Sequence, residues 1–179
     1  SMTYRGTTIL AVLKDNILAV AGDGQVTLGE QIIKAKAVKI RRLSSYPIIG
    51  GFAGHTADAF TLFERFEAKL DSASGNMARA AVELARDWRL DKALRQLQAM
   101  LLVGNSDKIL VLSGQGDVLE PDEPVAAIGS GAASATAAAK ALFRHSQLSA
   151  VEIVRTAMAI TAEQCIYTNN QIVVEVLEK

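Results

Sequence analysis

The chain has a single cysteine, Cys165, and so cannot close an internal disulfide, which excludes the disulfide-stapled secreted scaffolds and fits a reducing compartment. It carries only two histidines, too few for the usual zinc ligand sets. No uninterrupted apolar stretch approaches the roughly 20 residues that a membrane span needs. The 19 basic and 19 acidic side chains cancel, so no excess charge draws the chain to nucleic acid or to an anionic membrane. A charged segment followed by an apolar one, the pattern of a secretory signal, is missing from the N-terminus. So is a GxxxxGK phosphate loop ending in Ser or Thr, which means any ATP-driven step must draw its energy from a partner. Internal repeats, linkers and low-complexity stretches are absent as well. A cytosolic chain with one domain is the expectation, and its 179 residues suffice for a substantial core.

What is present is apolar. Half the residues are hydrophobic and the mean hydropathy is positive, high for a small soluble monomer. Subunit interfaces, which bury apolar surface in obligate oligomers, account for that excess. The strongest local pattern lies in the first thirty residues. Thr7-Thr8-Ile9-Leu10-Ala11-Val12 is a β-branched and apolar run that reads as a strand. Ile17-Leu18-Ala19-Val20-Ala21 follows at once through Lys14-Asp15-Asn16, a short hairpin turn. That second run ends in Gly22-Asp23-Gly24-Gln25, where two glycines let the backbone fold around one carboxylate.

Farther along, Ile32-Ile33 and residues 35–43 alternate basic and apolar side chains and read as short exposed strands. Residues 48–54 make another strand, interrupted by glycines where backbone must approach a neighbour closely. Thr56 is placed to cap a helix carrying Ala59, Leu62, Phe63, Phe66 and Leu70 at helical spacing, with Gly75 closing the segment. Residues 77–100 continue with a second helical pattern that bends or breaks near Arg89-Leu90-Asp91. Strands are expected at Leu101-Leu102-Val103, at Ile109-Leu110-Val111-Leu112 and at Val118-Leu119-Glu120. Ala126-Ala127-Ile128 leads into Gly129-Ser130-Gly131, and 132–143 is strongly helix-forming. Ser149 with Glu152 forms a capping box for one more helix, and 172–177 closes the chain as a strand. Strands, two helices, strands, two helices and a strand suit two stacked sheets with a helix pair on each outer side.

Thr7 and Asp23 are a candidate nucleophile and its orienter. Threonine is a weak nucleophile without a base, and cleavage of the Gly6-Thr7 bond would supply one in the freed α-amine, whose reference pKa is about 7.7–8.0. Otherwise Thr7 is an ordinary strand residue and Asp23 an ordinary turn aspartate. Lys39 lies among Lys34, Lys36, Arg41 and Arg42, a run that usually marks a solvated face. Its place between Val38 and Ile40 puts it on the face opposite to both, where a lysine near a nucleophile would lower hydroxyl and amine pKa values. Ser130 reads as a helix cap, Gly51 as a packing glycine and Cys165 as a small buried residue.

Several blocks in register carry a resemblance. Thr7-Thr8-Ile9, Ala21-Gly22-Asp23-Gly24-Gln25, Lys39-Ile40-Arg41-Arg42-Leu43 and Gly51-Phe52-Ala53-Gly54 resemble the HslV (ClpQ) family of proteasome-β-like peptidase subunits. So do Ala57-Asp58-Ala59-Phe60-Thr61-Leu62-Phe63-Glu64, Ile128-Gly129-Ser130-Gly131 and Cys165-Ile166-Tyr167-Thr168-Asn169. The resemblance implies an α+β fold, the four-layer αββα sandwich of the N-terminal nucleophile hydrolases. It implies a threonine-type endopeptidase with Thr7 as nucleophile and with Asp23 and Lys39 in the catalytic motif. Gly51 would donate its N–H to the oxyanion, and Ser130 would hydrogen-bond beside the nucleophile. Backbone carbonyls of Ala162, Cys165 and Thr168 would hold a sodium ion, although the first of these positions is commonly glycine. The assembly implied is a homo-oligomer of two stacked hexameric rings, fed with unfolded polypeptide by the AAA+ ATPase HslU (ClpY). Residues 1–6 would be a propeptide or an added extension ahead of a single domain over 7–179. The alternatives are Ser1 as nucleophile in the same assembly, a non-catalytic scaffold subunit, or a small-molecule amidase of the same nucleophile class.

Overall fold

Two neighbouring strand-forming runs at the start of the chain set the architecture. In the computed structural model, which describes residues 7–23, 26–28, 31–33, 39–97, 99–165 and 171–179, β1 (Thr8–Lys14) and β2 (Ile17–Asp23) form the expected hairpin. Its turn is Asp15-Asn16, with φ of 54° and 63°. Two consecutive left-handed residues are the mark of a type I′ turn, whose twist matches that of the flanking strands. The two strands are buried almost from end to end on both faces, so they read as unbroken apolar runs.

The remaining strands complete two antiparallel sheets and a small hairpin. β3 (Val26–Leu28) pairs with β4 (Gln31–Ile33). β5 (Ile40–Arg42), β6 (Ile49–Ala53), β7 (Met100–Gly104), β8 (Ile109–Ser113) and β9 (Val118–Leu119) form a five-stranded sheet in that order. β10 (Val125–Gly129) and β11 (Ile172–Glu178) flank the first hairpin in a sheet ordered β10-β1-β2-β11. The helices are α1 (Thr56–Ser72), α2 (Met77–Leu90), α3 (Lys92–Arg95), α4 (Ala132–His145) and α5 (Ala150–Gln164).

Strand alternation sorts the side chains into three apolar layers. Ile9, Ala11, Leu18 and Val20 pack with Ile40, Ile49, Leu102 and Ile109 between the two sheets. Leu10, Val12, Ala19 and Ala21, on the other face of the same strands, pack with Ala135, Ala139, Ile153, Ala157 and Met158 of α4 and α5. Phe52, Leu101, Val103 and Leu112 of the five-stranded sheet pack with Leu62, Phe63, Phe66, Leu84 and Trp88 of α1 and α2. Three cores between four layers make the αββα sandwich that the element order predicts. The two inner glycines of β6 allow it to be flanked closely: a Cβ on Gly50 would lie 2.7 Å from the Phe63 ring, and one on Gly51 would lie 2.6 Å from Ile9 Cγ2.

Several local expectations need correction. The helical pattern over 77–100 breaks at Asp91, as expected, but it ends earlier than 100. Asp91 ends α2 in extended backbone, and its Oδ1 accepts the N–H of Ala93 at 2.8 Å, so one residue stops one helix and caps the next. Met100 already belongs to β7. The cap position of α1 is His55, and Thr56 is its first helical residue. Within 35–43, expected to be exposed, Lys39, Ile40 and Leu43 are buried, because β5 is roofed by the opposite sheet on one side and by α1 and α2 on the other. The capping serine is as expected, with Ser149 Oγ accepting the Glu152 N–H at 3.2 Å.

Candidate active site

An antiparallel hairpin sets the beginning of its first strand beside the end of its second. Ile9 pairs with Gly22, so Thr8 lies opposite Asp23, and Asp23 Oδ1 accepts the Thr8 N–H at 3.2 Å. Thr7 stands one residue before β1 with only 4 % of its surface exposed, and Asp23 is as deeply buried. The other edge of β1 pairs with β10, Thr8 opposite Gly129. That brings in the turn leading to α4.

Lys39 arrives from the second sheet. Its carbonyl accepts the Phe52 N–H at 2.7 Å, which anchors the residue beside β6. Its ammonium donates to Thr7 Oγ1 and, at 2.8 Å, to the carbonyl of Gly54. Burial pushes the Lys39 pKa below its ordinary 10.5, while the negative charge of Asp23 pulls it back up. A protonated Lys39 is a donor to the hydroxyl oxygen, so it stabilises negative charge there but cannot take the hydroxyl proton.

Gly129 packs on the Thr7 backbone. Its φ is +98°, and a Cβ built there would lie 1.7 Å from the Thr7 carbonyl oxygen. Ser130, next along, is exposed at the mouth of this turn. The Gly131 N–H donates to Thr8 Oγ1 at 2.8 Å, tying the cap of α4 to the first strand.

This geometry coincides with a clear kinship. A family model described as Proteasome subunit matches residues 3–177. The ATP-dependent protease subunit HslV of Desulfovibrio desulfuricans is 59 % identical over 177 residues, covering 98 % of this chain and 100 % of that protein. The chain belongs to the proteasome-subunit family, among its HslV members. The crystal structure of eukaryotic HslV from Trypanosoma brucei superimposes with a TM-score of 0.89 at 43 % identity, covering 96 % of this chain and 99 % of that one. BPH of Thiobacillus denitrificans, at 22 % identity and a TM-score of 0.74, shares the fold over 96 % of this chain and 97 % of its own. The protein is thus an HslV-type protease subunit with a proteasome-like peptidase core.

The structure of this HslV member brings Thr7, Asp23 and Lys39 together and sets the Gly129–Gly131 turn against them. It does not put Gly51 in the oxyanion role expected of it. Successive N–H groups along an antiparallel strand point to opposite neighbours. With the Phe52 N–H on Lys39, the Gly51 N–H faces β7, where Leu102 is its register partner. Gly51 is a packing glycine, its missing side chain making room for Ile9. The glycine turned to Lys39 is Gly54, at φ +148° just ahead of α1. A glycine ending a strand before a helix was the signal available for it. Of the three carbonyl positions expected to hold sodium, Ala162 lies in the last turn of α5 and Cys165 is its C-terminal cap, while Thr168 lies outside the described residues. Ala162 has a helical φ, which needs no glycine. Ser1 and the rest of 1–6 also lie outside the described residues. Among the described residues no group of His, Cys, Asp and Glu could hold a metal, and no helix is long and apolar enough to cross a membrane.

Proposed function

We propose that the chain is a threonine-type endopeptidase in which Thr7 Oγ1 attacks the substrate carbonyl. The observation that carries this reading is the hydrogen bond from a buried lysine to a buried threonine hydroxyl at the start of a strand, with a carboxylate on the adjoining strand. The base is the α-amine of Thr7, freed when the Gly6-Thr7 bond is cut. It takes the hydroxyl proton as the C–O bond forms, and passes it to the amine that leaves when the peptide C–N bond breaks. Water then hydrolyses the ester, restoring the hydroxyl and releasing the new carboxylate. Lys39 stabilises the charge developing at Oγ1. Preorganised charge of this kind is worth most where water is excluded, as it is around Lys39. The oxyanion donor is placed at the Gly54 turn in preference to Gly51, because Gly54 adjoins Lys39 while the Gly51 N–H is turned into the sheet. Ser130 serves as a hydrogen-bonding partner at the mouth of the site.

The working form in this reading is a pair of stacked hexameric rings, in the cytoplasm, supplied with unfolded polypeptide by an HslU-type ATPase. The high apolar content and the missing phosphate loop both support a partner of that kind. A sodium ion on the carbonyls of Ala162 and Cys165 would sit at the negative end of the α5 dipole and would brace the fold there. A chain that keeps residues 1–6 holds the Thr7 nitrogen in an amide, which is not basic. Intact mass and peptide turnover measured on the same sample test the reading. Turnover should follow the fraction of chains that begin at Thr7, and Thr7→Ala should abolish it in an assembly that still forms. Full turnover from a chain whose mass includes residues 1–6 would overturn the assignment of the base. Activity that survives Thr7→Ala but not Ser1→Ala would move the nucleophile to Ser1.

A further inference from the structure

One fully buried polar residue at the site has no role in the chemistry above. Thr8 is 0 % exposed, in a position where valine would fill the same space. Its backbone N–H is taken by Asp23, and its Oγ1 accepts the Gly131 N–H at 2.8 Å, a contact spanning 123 residues of sequence. Gly131 caps α4, so this one hydroxyl fastens the start of a helix to the strand that carries Thr7. Between the two anchors there is no slack, because Gly129 already lies against the Thr7 carbonyl.

We infer that Thr8 is a positioning residue of the peptidase site. Its hydroxyl holds the turn from β10 to α4 so that Ser130 and the Thr7 backbone stay aligned for attack by Thr7 Oγ1. The inference rests on the reading of Thr7 as nucleophile and adds the element that keeps it in place. Without the hydroxyl, the Gly131 N–H is left buried without a partner, or the turn peels toward water to find one. Peeling carries the exposed Ser130 away and releases the packing on Thr7. The loss therefore falls on the chemical step more than on substrate affinity.

Thr8→Val removes the acceptor at nearly constant volume, and Thr8→Ser keeps it while deleting a buried methyl group. We expect Thr8→Val to lower kcat roughly 10–100-fold, with KM within about threefold of wild type. Thr8→Ser should restore most of the rate even where its melting temperature is the lower of the two. Hydrogen exchange in the unaltered protein should show the Gly131 amide protected, a result that does not depend on either variant folding. Wild-type turnover in Thr8→Val, equal damage in the two variants, or a Gly131 amide exchanging at the open-chain rate would each overturn the inference. Thr7→Ala separates it from its premise. An inactive Thr7→Ala beside an intact Thr8→Val removes only the role of Thr8, whereas an active Thr7→Ala removes the nucleophile itself.

Discussion

Replacing Gly129 by alanine perturbs the proposed nucleophile without touching its side chain. The position has φ +98°, and an L residue there carries a backbone strain of about 1–2 kcal/mol. The added Cβ meets the Thr7 carbonyl oxygen at 1.7 Å, against the 3.0 Å that real Cβ atoms respect, so the two must separate by about 1.3 Å. Nothing flexible is available to give way, since the obstructing atom is backbone and Thr8 is held by Asp23 and by Gly131. A displacement near 1 Å at a reacting group costs on the order of 10²-fold in rate. Gly116→Ala is the control for strain alone. Its φ is +90°, but its Cβ would meet only the Arg89 side chain, at 3.0 Å, in the turn between β8 and β9. Both variants should melt a few degrees lower, at about 2–4 °C per kcal/mol for a chain of this size. Only Gly129→Ala should lose peptidase activity, by about 10²-fold in kcat/KM. If the two variants turn over substrate within about threefold of each other, the contact with Thr7 has no catalytic consequence and the reasoning fails.

Two further outcomes follow from the same geometry. Burial lowers the Lys39 pKa, so the unfolded chain binds a proton there more readily than the folded one, and stability from this group rises as pH climbs through the folded pKa toward 10.5. Lys39→Met should cut kcat by about 10² or more and flatten that rise, and denaturant unfolding at pH 7 and above pH 9 checks it; an unchanged slope would refute the burial argument. Asn16→Val places a β-branched residue at φ 63°, in the turn at the far end of β1 from Thr7, and should cost about 1–2 kcal/mol in thermal or chemical unfolding with peptide turnover unchanged.

Sequence alone determined a good deal of this protein, wherever the determining physics is local. The Asp15-Asn16 turn, the two apolar runs it joins, the Ser149 cap and the order of strands and helices are legible because each depends on residues a few positions apart. Thr7, Asp23 and Lys39 were identifiable as candidates because each carries chemistry at a telling place: strand start, glycine-flanked turn, apolar setting. Tertiary structure decided the rest. The Lys39 segment looked like a solvated basic strand, and only the closure of one sheet over the other buries it and aims its ammonium at Thr7. Gly51 and Gly54 are indistinguishable in composition, yet strand pairing turns one into the ladder and leaves the other beside Lys39. Thr8 and Gly129 draw their importance from contacts with Gly131 and Thr7, in segments more than a hundred residues apart. A pattern with period two or 3.6 says which face a side chain takes, but not what the opposite face will be, and the site of this protein is made where those faces meet.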